Sequence, residues 1–164
     1  MKLYFGFGAN RDTEMITAIT GQKPFFGFPA KIKNFELCSQ AINQMPEPAQ
    51  KILKECWDEN FLSYGLRPNF NESVEGTVWL LTDKQRKDIC YWELNGLWSK
   101  RIKTTAFVNI AGLEIPIKVE TEFLPNQEAT QVSGQHYKTF IVPKEKLLKI
   151  AVQSHNLPVP GVVI

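Results

Sequence analysis

Glu93 is the residue best placed to do proton-transfer chemistry. It falls at the C-terminal end of a helix predicted over residues 82–93, beside Ile89 and Trp92. A carboxylate there meets the negative end of the helix dipole, and burial among Trp92, Leu94 and Leu97 favours its neutral form. Both effects raise its pKa toward the range useful to a general acid–base group. The competing reading is a solvent-exposed glutamate in a last helical turn. Other chemistries find less support. His136 and His155 are the only histidines, are not spaced as a metal pair and have no cysteine nearby, so no metal site is expected. Cys38, Cys56 and Cys90 are too far apart for a metal motif or a disulfide framework. Cys90 lies on the core side of the Glu93 helix, where a thiol is inert. No serine occupies a nucleophile-elbow pattern.

The second candidate is the turn Phe7-Gly8-Ala9-Asn10, directly after a short strand at residues 2–7. Gly6 and Gly8 fall where a strand prefers side chains, which signals a tight bend or a close approach of backbone. A turn leading from a strand into a helix can aim several N–H groups at one point and hold an anion, here a ligand carboxylate. A plain strand-turn-helix junction is the alternative. The spacing matches neither a phosphate-binding loop nor a dinucleotide fingerprint. Lys84, Arg86 and Lys87, with Lys100, Arg101 and Lys103, flank the Glu93 helix. They read as a solvated surface or as partners for a ligand carboxylate or phosphate.

These residues need a scaffold. Asp12 or Thr13 caps a helix ending near Gly21. Residues 22–29 read as an aromatic loop that covers the core or lines a pocket. Residues 30–38 form a second strand with apolar groups on both faces, which suits a curved or closed sheet. A helix begins at Pro46 or Pro48, with Ile52, Leu53, Cys56 and Trp57 as its apolar stripe. Residues 67–72 read as a loop before the strongest strand, 74–81. Thr82 and Gln85 have the spacing of a capping box, and Asn95-Gly96 ends the helix they open. Residues 101–110 and 115–123 form a hairpin, the second strand setting Ile115, Ile117, Val119, Thr121 and Phe123 against Lys118, Glu120 and Glu122. Pro116 argues for an edge position. A short strand or arm over 136–143 and a last helix over 144–153 follow. The apolar tail 157–164 packs across the body or against a second copy, which allows a homodimer.

The 164 residues suit one domain, 1–164, with a helical insertion at about 40–71. A net charge of +2 is too small to imply a nucleic-acid partner. No stretch approaches a membrane span or a secretory signal. With cysteines that suit a reducing compartment, a soluble cytoplasmic protein is expected.

Taken in order, Phe7-Gly8-Ala9-Asn10, Val74-Glu75-Gly76-Thr77-Val78-Trp79 and the helix 83–93 ending in Glu93 resemble the gamma-glutamylcyclotransferase-like family. That family carries a tyrosine-glycine-serine-asparagine turn after its first strand, a later strand with a glycine-x-valine core, and a helix that ends in the catalytic glutamate. Residues 27–35 look like its second strand, and Tyr137 with Asn156-Leu157-Pro158 like its closing elements. The resemblance covers most of the chain outside 40–71. It implies an α+β fold, a small mixed-strand β-barrel with peripheral helices. It implies a cyclotransferase-type lyase that releases 5-oxoproline from a gamma-glutamyl amide or amine, with no metal or organic cofactor. Glu93 would be the acid–base residue, and Phe7, Gly8, Ala9 and Asn10 would bind the substrate. Phe7 and Ala9 replace the family's tyrosine and serine, and Leu94 stands where a glycine often follows the glutamate. Loss of those hydroxyls leaves two other functions open: a catalytically silent binder of a carboxylate- or phosphate-bearing ligand, or a protein-interaction module.

Overall fold

The computed structural model describes residues 1–124, 130–131 and 141–154. The first strand, β1 (Lys2–Gly6), runs into a 3-10 turn (Gly8–Arg11) and then helix α1 (Thr13–Thr20). Asp12 caps α1 by accepting from the amides of Glu14 and Met15, and Gly21 closes it with φ 68°. The long strand β2 (Phe26–Ala41) follows, then helix α2 (Glu47–Cys56) and the longest strand, β3 (Leu62–Leu81). Thr82 and Gln85 form the expected capping box and open α3 (Asp83–Trp92). Strands β4 (Lys100–Ile110) and β5 (Leu113–Phe123), the short β6 (Thr130–Gln131) and helix α4 (Lys144–Ser154) complete the order. No described helix is long and apolar enough to cross a membrane.

The α+β class and the peripheral helices agree with expectation, but the small mixed-strand β-barrel is corrected. The strands make one six-stranded mixed sheet in the order β3-β1-β5-β4-β2-β6, with an additional β2–β3 pairing. A regular barrel needs continuous, evenly staggered ladders around its circumference. Here β2 and β3 pair along most of their length, from Phe26↔Leu80 to Ala41↔Leu62. The other contacts are short. β2 meets β4 only at Ala30↔Val108, Lys31↔Phe107 and Ile32↔Ala106, and β1 meets β5 in the single parallel pair Tyr4↔Glu120.

Two local expectations also change. Residues 67–72 are not a loop but the middle of β3, with Pro68 opposite Phe35 across an irregularity where Asn34 takes φ 66°. Buried Glu36 fixes this stretch, accepting from Arg67 and, at 2.8 Å, from Asn69. The aromatic residues of 22–29 do not cover the core, and none of them lines the cavity beside Glu93. Phe26 and Phe28 enter β2 opposite Leu80 and Val78, and both remain exposed, as does Phe25. Gly27 is there for its neighbour: a Cβ would sit 2.2 Å from the Trp79 indole.

Apolar side chains gather in two clusters. One joins the sheet to the helices through Tyr4, Met15, Ile16, Trp79, Ile89 and Leu124. The other is built from strand residues, among them Phe5, Ile32, Leu66, Val78 and Val119. Tyr4 and Phe5 thus enter opposite clusters, as the two-residue period of a strand requires.

The hairpin of β4 and β5 closes on two residues, with Ile110 opposite Leu113 and Ala111 and Gly112 at φ 52° and 84°. Such a turn needs positive φ at both positions, which asparagine tolerates better than alanine. Ala111→Asn is therefore expected to raise the unfolding free energy by about 0.5–1 kcal/mol, read as a higher midpoint in urea at unchanged slope.

Candidate functional site

The turn after β1 is packed into its shape. A Cβ on Gly6 would lie 2.2 Å from the Asn10 carbonyl oxygen, so glycine lets the chain double back on itself. Gly8 has φ 54°, and a Cβ there would meet the Tyr64 ring at 2.8 Å. The Asn10 amide donates to the Phe7 carbonyl and the Asp12 amide to the Ala9 carbonyl. From outside, Trp79 Nε1 donates to the Asn10 carbonyl at 2.8 Å and Thr77 Oγ1 to the Arg11 carbonyl at 3.0 Å. The conformation therefore rests on β3, not on hydroxyls at positions 7 and 9. The amides of Gly8 and Ala9 have no acceptor within the turn, because its first internal bond starts at Asn10.

Glu93 caps the far end of α3. Its amide donates to the Ile89 carbonyl at 2.9 Å, and Ser99 Oγ donates to its carbonyl at 2.9 Å. The Leu94 amide reaches the Tyr91 carbonyl and the Asn95 amide the Cys90 carbonyl, each at 3.0 Å, with Leu94 at φ 48°. This is a Schellman closure whose left-handed position, usually glycine, is a buried leucine.

The two candidates meet. Asn10 Nδ2 donates to Glu93 Oε1 at 2.5 Å and to the Tyr4 hydroxyl at 3.1 Å. Asn10 Oδ1 is buried and unpartnered among the described residues. Phe7, Ala9, Asn10 and Glu93 line one cavity of about 140 Å³. Gly8 is buried beside it without lining it. Helix α2, expected as a docked surface helix, turns Ile52, Leu53 and Cys56, with Trp57 at its C-cap, into this same cavity.

Burial is the largest influence on Glu93 and, with the negative charge of Glu122, pushes its pKa up to about 8. The Asn10 hydrogen bond and the Arg86 guanidinium pull in the other direction. Arg86 is buried, which corrects the expectation of a solvated basic face. Its Nη2 donates to Glu122 Oε1 at 2.7 Å, its Nε lies 3.4 Å from Glu120 Oε2, and its guanidinium carbon stands 4.7 Å from the centre of the Tyr4 ring. Glu122, expected on a polar outer face of β5, is buried with it, and Glu122 Oε2 has no partner among the described residues. Cys90 accepts from Arg86 Nη1 at 3.2 Å, and burial raises its thiol pKa.

Tyr4 and Glu122 were not among the sequence candidates, and Arg86 was one only as a surface charge or a ligand partner, not as the buried partner of Glu122. One signal was available: Arg86, Ile89, Cys90 and Glu93 fall at i, i+3, i+4 and i+7 on one helix face. Among the described residues no group of three His, Cys, Asp or Glu is arranged to hold a metal. His136, His155, Tyr137, Asn156 and the tail 157–164 lie outside the described residues.

No family model matches the chain, and no curated protein does. Solved structures do. A structure titled gamma-glutamyl cyclotransferase superposes with a TM-score of 0.61 at 17% identity, covering 96% of this chain and 81% of that one. An uncharacterized protein from Homo sapiens gives 0.59 at 20% identity over 96% and 82%. A solution structure from Arabidopsis thaliana gives 0.55 at 14% identity over 77% and 72%. The chain has the fold of the gamma-glutamylcyclotransferase-like proteins.

Proposed function

We propose that the chain is a cyclotransferase that releases 5-oxoproline from a gamma-glutamyl amide or amine. The observation that carries this reading is the contact between Asn10 and Glu93 on the wall of one cavity. The turn binds the α-carboxylate of the glutamyl group through its leading backbone amides, and Asn10 orients the amine beside Glu93. The α-amine nitrogen attacks the side-chain carbonyl carbon while Glu93 takes its proton. As the ring closes, the bond from that carbon to the departing nitrogen breaks, and Glu93 returns the proton to the leaving amine. The products are 5-oxoproline and a free amine. Holding the chain folded for attack supplies much of the rate, since both reacting groups belong to one molecule. Backbone donors of the turn offset the charge that develops on the carbonyl oxygen.

The silent-binder reading draws on Phe7 and Ala9, which line the cavity without hydroxyls. Against it, Glu93 points at the turn and not away from it. The interaction-module reading requires no cleft beside Glu93, and a cleft is there.

Incubation with a panel of gamma-glutamyl compounds, followed by mass detection of 5-oxoproline, tests the reaction. Glu93→Gln is expected to lose about 10²–10⁴-fold in turnover while remaining folded. Parental turnover in that variant would remove Glu93 from the mechanism. The base form of Glu93 starts the reaction, so kcat/KM should climb with pH through about 8. Glu122→Gln removes a negative neighbour and leaves Arg86 less compensated, so the midpoint of that climb should move down.

The raised pKa also acts on stability. Between the ordinary glutamate value of 4.5 and about 8, the folded carboxyl keeps a proton that the unfolded chain has released. This contribution is complete below pH 4.5 and is lost as pH rises through 8. Glu93→Gln should therefore be more stable than the parent at pH 9, with the advantage shrinking as pH falls from about 8 and gone below pH 4.5, as thermal melts across that range would show.

A further inference from the structure

The cavity beside Glu93 has a composition that selects its occupant. Helix α2 contributes Ile52 and Leu53, Trp57 follows at its C-cap, and helix α4 contributes Leu147 and Ile150. Phe61 adds a second ring against Trp57, with centroids 4.5 Å apart. Glu93 is the only carboxylate among the described lining residues, and none of them is lysine or arginine. The two departures in the turn act in the same direction, because Phe7 and Ala9 present carbon to the cavity.

A gamma-glutamyl substrate has two halves. The glutamyl half is the same in every such compound, so the remaining wall can discriminate only by the departing amine. When that amine is an amino acid or a peptide it carries its own carboxylate. Such a group would lose water on entering a mainly apolar wall whose described residues offer it no cation, and it would sit near the negative charge of Glu93 in its base form. An uncharged apolar amine loses nothing of that kind and gains by covering Trp57, Leu53 and Ile150.

We propose that this wall makes the site specific for gamma-glutamyl amides whose leaving amine is apolar and carries no carboxylate, such as an arylalkylamine. The chemistry of release rests on the cyclotransferase reading above; the selectivity of the wall does not. The absence of lysine and arginine among the described lining residues distinguishes this class from gamma-glutamyl peptides.

A matched set separates the two ideas. Gamma-glutamylphenethylamide and gamma-glutamylphenylalanine differ only by the carboxylate, and gamma-glutamylmethylamide lacks the ring. The phenethylamide should exceed both others by about tenfold or more in kcat/KM. Leu53→Arg, a partly exposed position on α2, should move the preference about tenfold toward gamma-glutamylphenylalanine. Equal turnover of the matched pair, or of phenethylamide and methylamide, would overturn the proposal, as would a preference unmoved by Leu53→Arg. If no compound is turned over, the cyclotransferase reading fails. Titration calorimetry on the parent then decides the wall alone: tighter binding of the phenethylamide upholds it, and equal or absent binding sinks it.

Discussion

A partly buried carboxyl group held between a turn and a helix end is the constraint on which this architecture depends. Glu93 needs the end of α3 to present it, the first turn to meet it and helices on either side to exclude solvent. Each requirement is supplied by a different segment. The capping box at Thr82 fixes where α3 begins, and the Schellman closure fixes where it ends. Trp79 and Thr77 hold the turn from β3 through its own carbonyls. The sheet thus acts as a spacer that brings residues 10 and 93 to hydrogen-bonding distance.

Beneath the site a second charge system sets the field. Arg86 is buried against Glu122, near Glu120 and over the ring of Tyr4, whose hydroxyl in turn meets Asn10. Burial, then the negative charges of Glu122 and Glu93, keep that hydroxyl well above the usual phenol range, so it stays protonated. Asn10 therefore bridges one neutral group and one titrating group. Buried ion pairs of this kind add little net stability, yet removing one partner leaves an unpaired charge and costs about 3–5 kcal/mol.

The elements set by local chemistry were legible in the sequence. Asp12, Gly21 and Thr82 with Gln85 mark helix ends by side-chain or glycine geometry, and the structure has them there; Asn95-Gly96 marks the end of α3 only approximately, because Leu94 and not Gly96 takes its left-handed closing position. The contact between the turn and Glu93 followed only from family resemblance, because no local pattern ties residues so distant in sequence. What stayed hidden depended on pairing at long range. Residues 67–72 have a loop's composition, with proline and asparagines, but Glu36 across the ladder anchors them as strand. Glu122 alternates correctly as a polar residue of β5, and only the arrival of Arg86 from another element brings it indoors. The barrel expectation came from the family resemblance, with strands apolar on both faces taken to agree with it. The helices that cover the sheet supply one of those apolar partners, so two-faced strands do not require regular closure.

Leu94 joins two duties that are usually separate. Its backbone adopts the left-handed turn that ends α3, and its side chain is part of the cavity wall. With glycine in that place, the helix end would be indifferent to what the cavity contains. With leucine, the peptide adjoining Glu93 is anchored by the same surface an occupant would touch. The cavity wall and the turn that aims the carboxyl therefore share one residue.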